Sequence, residues 1–169
     1  MTNRRSGRKN GASSDGRAPL IENRKARHDY FVEETIEAGI ALVGSEIKSI
    51  RAGRANIREA YVRVEGDEAW LLNAHISIWP QSGTHFNHEP ARRRKLLLHR
   101  NEIQYLRGKV EQKGLTLIPL DIHFVRGRAK LEVAIAKGKK LYDKRDSLAE
   151  RDAEREMARD LRERNKYDE

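Results

Sequence analysis

Leu115-Thr116-Leu117-Ile118-Pro119-Leu120-Asp121-Ile122-His123-Phe124-Val125, then Arg126-Gly127, then Arg128-Ala129-Lys130-Leu131-Glu132-Val133-Ala134-Ile135-Ala136 is the stretch that decides the fold class. Two largely apolar runs flank a two-residue turn signal ending in glycine, the pattern of a β-hairpin. Working outward, Tyr30-Phe31-Val32 through Ile36 predicts a first strand. Tyr61, Val62, Arg63 and Val64 alternate within a strand expected over Arg58–Glu65. Gly66-Asp67 predicts a turn, and Glu68–Ile78 returns as a strand through Trp70, Leu72, Ala74 and Ile76. Two short helices interrupt the strands. One covers Gly44–Arg51, with Ser45 as N-cap and Gly53 near the C-cap. The other covers Asn101–Gln112, with Ile103, Leu106 and Val110 on one face and Gly114 stopping it. Gln81–Pro90 has no regular pattern and is expected to be a loop. Several short antiparallel strands in so small a chain favour closure, which removes exposed edges. The expectation is an α+β, mainly β fold: an OB-like antiparallel barrel with short inserted helices.

Composition divides the 169 residues into three zones. Residues 1–20 are rich in Gly, Ser and Arg without periodicity, which predicts a disordered basic arm. Residues 21–137 carry the apolar runs and so the barrel. Residues 138–169 are almost wholly charged. In this last zone Ala149, Ala153, Met157 and Leu161 recur every four residues, and Ser147 with Glu150 matches a capping box. The stripe is thin and two of its members are alanines, so the tail is expected to be disordered alone and helical only on binding.

The net charge of +9, in a chain that is 36% charged, attracts polyanions at long range. No apolar run approaches the roughly 20 residues of a membrane span, and no hydrophobic leader follows Met1. With no cysteine, disulfides, thiolate metal sites and thiol nucleophiles are excluded. A cytoplasmic, monomeric protein without a cofactor is expected.

Three basic stretches stand out. Arg24-Lys25-Ala26-Arg27-His28 precedes the first strand and reads either as a solvated lead-in or as phosphate contacts, since arginine offers a planar fork to two oxygens. Arg92-Arg93-Arg94-Lys95-Leu96-Leu97-Leu98 joins four cations, all expected to bind RNA phosphates, to three leucines. If Leu96 and Leu98 fill the core, alternation leaves Leu97 outward, where it can pack on an unstacked base; an all-core reading of the three is equally open. Lys137-Gly138-Lys139-Lys140-Leu141-Tyr142-Asp143-Lys144-Arg145 sets an aromatic among five cations, a usual arrangement for gripping looped RNA. His85-Phe86-Asn87-His88-Glu89 spaces two histidines for zinc on a helix, but Pro90 argues against a helix, and no metal site is expected. No phosphate-binding glycine loop occurs. Asp121 and His123, two apart on one strand face, are the nearest acid/base candidates and read as surface residues, so no catalytic residue is assigned.

Longer strings carry more. Arg27-His28-Asp29-Tyr30, the run from Glu37-Ala38-Gly39-Ile40 to Ser49-Ile50-Arg51, Asn87-His88-Glu89-Pro90, Arg94-Lys95-Leu96-Leu97-Leu98-His99 and Gly138-Lys139-Lys140-Leu141-Tyr142-Asp143-Lys144-Arg145 resemble, in order, the SsrA-binding protein (small protein B) family. The resemblance implies an OB-like barrel that grips the tRNA-like domain of transfer-messenger RNA, and a tail that folds in the decoding centre and the message channel of the 70S ribosome. It implies ribosome rescue by trans-translation, with elongation factor Tu in the delivery complex. Matched by motif, Glu37, Leu97 and Lys130 are tied to RNA binding, and Asp143, Lys144 and Arg145 to a later step inside the ribosome, with Lys137, Lys139, Lys140 and Tyr142 beside them. Trp79 stands where tyrosine is expected, and the tail beyond Arg145 diverges, with Asp160 near a spot where relatives carry an apolar residue. The competing expectations are a ribosomal or ribosome-assembly protein with the same barrel, and a nuclease built on Asp121 and His123.

Overall fold

The computed structural model describes residues 21–167 apart from positions 84 and 113, so the expected arm over 1–20 lies outside the described residues. The deciding hairpin is present. Strand β8 (Leu115–Val125) pairs with β9 (Arg128–Gly138) from Leu115↔Lys137 to Val125↔Arg128. Its two-residue turn puts Arg126 at φ 47° and Gly127 at φ 78°, the paired left-handed geometry that matches strand twist.

Among the described residues, seven further strands and four α-helices join it, with a 3-10 turn at Pro80–Ser82. In chain order they are β1 (Ile21–Glu22), α1 (Arg24–Asp29), β2 (Tyr30–Ile40), α2 (Gly44–Arg51), β3 (Ala55–Asn56), β4 (Tyr61–Glu65), β5 (Glu68–Leu72), β6 (His75–Ile76), β7 (Arg94–Leu97), α3 (Arg100–Glu111) and α4 (Leu141–Tyr167). The sheet order β8-β4-β5-β7-β2-β9 returns to β8, closing an OB-like barrel of six antiparallel strands, with the two-residue β1 pairing with β8 at Asp121 and Ile122, on the edge that β4 uses at Leu117. Leu71, Leu96, Leu117, Ile122, Leu131, Val133 and Ile135 fill its interior. A smaller cluster of Ile118, Leu120, Ala134 and Ala136 lies on the opposite face of the hairpin, under Ala26 of α1.

Several boundaries differ from the sequence reading. The first long strand continues beyond Ile36 to Ile40, so Glu37 is on it. The strand expected over Glu68–Ile78 breaks at Asn73, whose φ of 57° turns the chain. The segment before Tyr30 is a helix capped by the Asn23 side chain, which accepts from the Ala26 N–H. Ser45 is not the N-cap of α2; that position is Val43, whose N–H donates to the Glu46 carboxylate. The charged tail is one continuous helix, starting six residues before the predicted Ser147 cap. Its first turn explains the start: the Lys140 N–H donates to Asp143 Oδ2 at 3.1 Å, and Lys144 Nζ reaches Asp29 Oδ1 at 3.3 Å, tying α4 to the end of α1. From residue 148 to 160 the helix is exposed, Met157 of its apolar stripe being 65% accessible. No described helix is long and apolar enough to cross a membrane.

A register shift between Pro119 and Asp121 decides what β8 presents outward. Before it Leu117 points into the barrel; after it Ile122 does. Proline has no N–H for the ladder, and one extra residue inverts the alternation. Without the bulge, Asp121 and His123 would share the inward parity of Leu117. With it, they face out.

Candidate nucleic-acid interface

The outer face across β7, β2, β9 and β8 collects one row of aligned residues. Leu97 is opposite Gly39, Gly39 opposite Lys130, and Lys130 opposite His123. A second row beside it holds Glu37, Glu132 and Asp121. Leu97 is 56% exposed, whereas Leu96 is buried and Leu98 packs against the core, so alternation leaves Leu97 outward. Gly39 permits the close approach: a Cβ there would meet the Leu97 Cβ at 3.1 Å. Leu97, Gly39, Lys130 and Arg128 line part of an open groove of about 480 Å³.

Glu37 lies between the His123 ring and the Lys130 side chain. Its Oε2 is 3.1 Å from His123 Nε2 and its Oε1 is 3.7 Å from Lys130 Nζ. The other ring nitrogen of His123 meets Asp121 Oδ1 at 2.7 Å. Burial works against a charged His123 ring, but the Asp121 and Glu37 carboxylates outweigh it and raise its pKa above the ordinary 6.5. Burial, and then contact with Asp121, push the Glu132 carboxyl up. The three family-matched residues therefore meet on one surface, together with His123 and Asp121, which sequence reading had set aside. Their shared parity on β8 was legible; the bond to Glu37, 86 positions away, was not.

The basic run before Leu96 is divided differently from the expectation that all four cations contact phosphate. Arg94 is fully buried: its Nε donates to Glu46 Oε1 at 2.9 Å, and its terminal nitrogens donate to the Ala74, Arg92 and Pro90 carbonyls. Arg92 donates to both oxygens of the same buried carboxylate, at 2.9 and 2.6 Å. These two are structural, because each is committed to Glu46. Burial alone would raise the Glu46 pKa; the Arg92 bonds, the Val43 N–H and the Arg94 charge outweigh it and hold the carboxyl below its ordinary 4.5. The signal was available, since Arg94 shares the inward parity of Leu96. Arg93 is exposed, 4.3 Å over the Trp70 ring and 3.2 Å from Glu65, and Lys95 pairs with Glu68. Nearby, Asn87 bonds the Trp79 backbone at both its N–H and its carbonyl. His88 Nε2 faces the Ile76 carbonyl and Nδ1 faces Ser45 Oγ, so this ring is engaged on both sides and closes the loop onto α2.

The remaining cations lie on and after the hairpin's outer flank. On α1, Arg24 pairs with Glu22 and Lys25 with Glu59, Arg27 is exposed, and His28 Nδ1 is 2.9 Å from Asp29. Lys137 is exposed at the end of β9, and Lys139 sits 4.8 Å over the Phe31 ring. Lys140, Tyr142, Asp143, Lys144 and Arg145 follow through the start of α4.

The strand order agrees with the barrel that the sequence motifs imply, and the sequence pattern of the SmpB protein family matches residues 20–163. The chain belongs to this family. It is 63% identical over 148 residues to an SsrA-binding protein of Moorella thermoacetica, covering 87% of this chain and 95% of that one. It is 60% identical over 147 residues to an SsrA-binding protein of Roseiflexus sp. strain RS-1, covering 87% and 93%. Among solved structures, a chain described as "tmRNA-SmpB: a journey to the center of the bacterial ribosome" superposes with a TM-score of 0.64 at 49% identity, over 78% of this chain and 95% of that one.

Proposed function

We infer that this chain binds transfer-messenger RNA and is required for its action on stalled ribosomes in trans-translation, the barrel gripping the tRNA-like domain and the tail entering the decoding centre and message channel. Family membership over most of the chain supports this reading above a constitutive ribosomal role. The observation that carries the site is the outer row of Leu97, Gly39, Lys130 and His123 with Glu37 beside it. Leu97 offers an exposed apolar surface to an unstacked base, Lys130 a cation to the backbone, and Glu37 an acceptor for base amino groups. Arg24, Lys25, Arg27, His28, Arg93 and Lys95 add phosphate attraction around it. The protein acts in the cytoplasm, without catalysis, and is delivered with elongation factor Tu.

Sequencing the RNA that co-purifies with the protein tests the function; recovery of mature ribosomal RNA without transfer-messenger RNA would establish the alternative. The site is tested by Leu97→Ala. The variant is expected to keep the wild-type unfolding midpoint, because the side chain is largely in water, and to lose about tenfold in affinity, equivalent to ~1.4 kcal/mol. Unchanged affinity removes Leu97 from the interface. The charge contribution is read from a salt titration, where log affinity should fall by about 0.7–0.9 per phosphate contacted for each decade of salt. A flat titration contradicts a phosphate-dominated interface.

A further inference from the structure

We propose that His123 is a positioning residue for RNA binding, a proton-dependent clamp that holds the Glu37 carboxylate in its RNA-facing orientation. The proposal rests on the reading of Glu37 as an RNA contact and extends it to a residue two strands away.

The geometry sets the logic. The imidazole lies between two carboxylates, Nδ1 on Asp121 at 2.7 Å and Nε2 on Glu37 at 3.1 Å. A charged ring donates from both nitrogens and satisfies both acceptors. A neutral ring has one N–H, so one of the two carboxylates must face a lone pair. The shorter bond is to Asp121, the more buried carboxylate at 14% exposure against 45% for Glu37. The remaining proton therefore stays on Nδ1, and Nε2 repels Glu37. Glu37 then keeps only the looser contact with Lys130 Nζ at 3.7 Å and is free to swing away from the row.

The other groups around the ring do not replace this control. On β9, Lys130 reaches Glu37 at 3.7 Å, and Glu132, aligned with Asp121, is a further acid whose pKa is raised by burial and by Asp121. Thr35 of β2 and Arg27 of α1 act on Glu132 and favour its charged form. The sign follows from His123 titrating above its ordinary value. The clamp is closed at lower pH and opens as pH rises through the folded pKa. RNA affinity should fall in the same direction.

The experiment is affinity for the isolated tRNA-like domain of transfer-messenger RNA as a function of pH, at fixed ionic strength, for the wild type, His123→Gln and Glu37→Gln. Wild-type affinity is expected to fall roughly tenfold as pH rises from about 6, below the ordinary histidine value, through the raised pKa of His123. His123→Gln should be flat. Glu37→Gln should bind weakly and also be flat, because the clamp has nothing to hold. A bare imidazolium acting directly on phosphate predicts the contrary, a retained slope in Glu37→Gln. A weak Glu37→Gln that keeps the wild-type slope overturns the clamp alone. A Glu37→Gln with wild-type affinity at about pH 6 overturns the contact reading of Glu37, and the clamp with it. The His123 ring resonances, followed by NMR in the free protein, give a readout independent of RNA: the titration must move to lower pH in Glu37→Gln, and an unmoved titration refutes the coupling.

Discussion

Replacing Glu46 by alanine is expected to lower the unfolding free energy by about 3–5 kcal/mol, the cost of leaving a buried charge without its partner. The Glu46 and Arg94 side chains are both fully buried, and Arg92 shares the same carboxylate. Removing it strands the Arg94 guanidinium with carbonyl partners only, and it unties α2 from the start of β7. Leu97, three residues along β7, would lose its placement, so RNA affinity should fall with stability. Arg92→Ala should cost less, since this side chain is partly solvated and its loss leaves Glu46 still bonded to Arg94 and to the Val43 N–H. Replacing Glu46 and Arg94 together by leucine and methionine should recover much of the loss, because the penalty belongs to the unpaired charge rather than to the missing bond. Urea unfolding with a constant m-value is the measurement. A Glu46→Ala variant within about 0.5 kcal/mol of wild type, inside the range of ordinary surface changes, would mean that Arg94 finds water. Acid should act in the same direction. The Glu46 pKa is depressed in the fold, so its contribution is present above its unfolded pKa and is lost as pH falls through the folded one.

This network marks the boundary of what the sequence disclosed. Strand periodicity located the closing hairpin and the turn at Arg126-Gly127, because local alternation and turn chemistry are written in adjacent residues. The glycine-flanked helix over Gly44–Arg51 was legible for the same reason. Glu46 was not, since a glutamate on a short helix looks like a solvated residue until two arginines 46 and 48 positions away are folded against it. The four-cation run misled because charge density was taken for exposure. Strand parity contained the correction: Arg94, Leu96 and Leu98 share one face. Asp121 and His123 were read correctly as outward, but the bulge at Pro119 that keeps them there, and the Glu37 carboxylate they meet, depend on pairing between distant strands. The motif match supplied Glu37, Leu97 and Lys130 as a set; the structure puts them on one outer face, Leu97 and Lys130 in one row across β7, β2 and β9 and Glu37 in the row beside it.

Changing Asp143, Lys144 and Arg145 together to alanine is expected to leave affinity for the tRNA-like domain within about twofold, less than ~0.5 kcal/mol, while abolishing ribosome rescue. The argument begins at the junction of barrel and tail. Asp143 accepts from the Lys140 N–H and so starts α4, and Lys144 ties that first turn to Asp29, which also bonds His28. Both Lys144 and His28 hold the Asp29 carboxyl below its ordinary pKa, His28 contributing most. These contacts lie away from the row that carries Leu97 and Lys130, so their loss should not disturb the grip on RNA. They do fix the direction in which 27 helical residues leave the barrel, a reach of about 40 Å at the α-helical rise. Past the anchor the helix has little apolar area to bury, with Leu148 and Met157 both exposed. Its helicity in isolation therefore rests on the cap and on charge pairs such as Asp152 with Arg155. In the triple variant circular dichroism should show reduced helix content, with the barrel's unfolding midpoint unchanged. Asp29→Asn provides the separating control. It loosens the anchor and leaves Arg145 and the remaining tail chemistry in place, so a rescue defect close to that of the triple variant would assign the motif to aiming the tail. Full rescue by Asp29→Asn beside a dead triple variant would assign it to direct contact with the ribosome. A triple variant that loses RNA affinity as severely as rescue would place the motif within the RNA-gripping surface and refute the division of labour between barrel and tail.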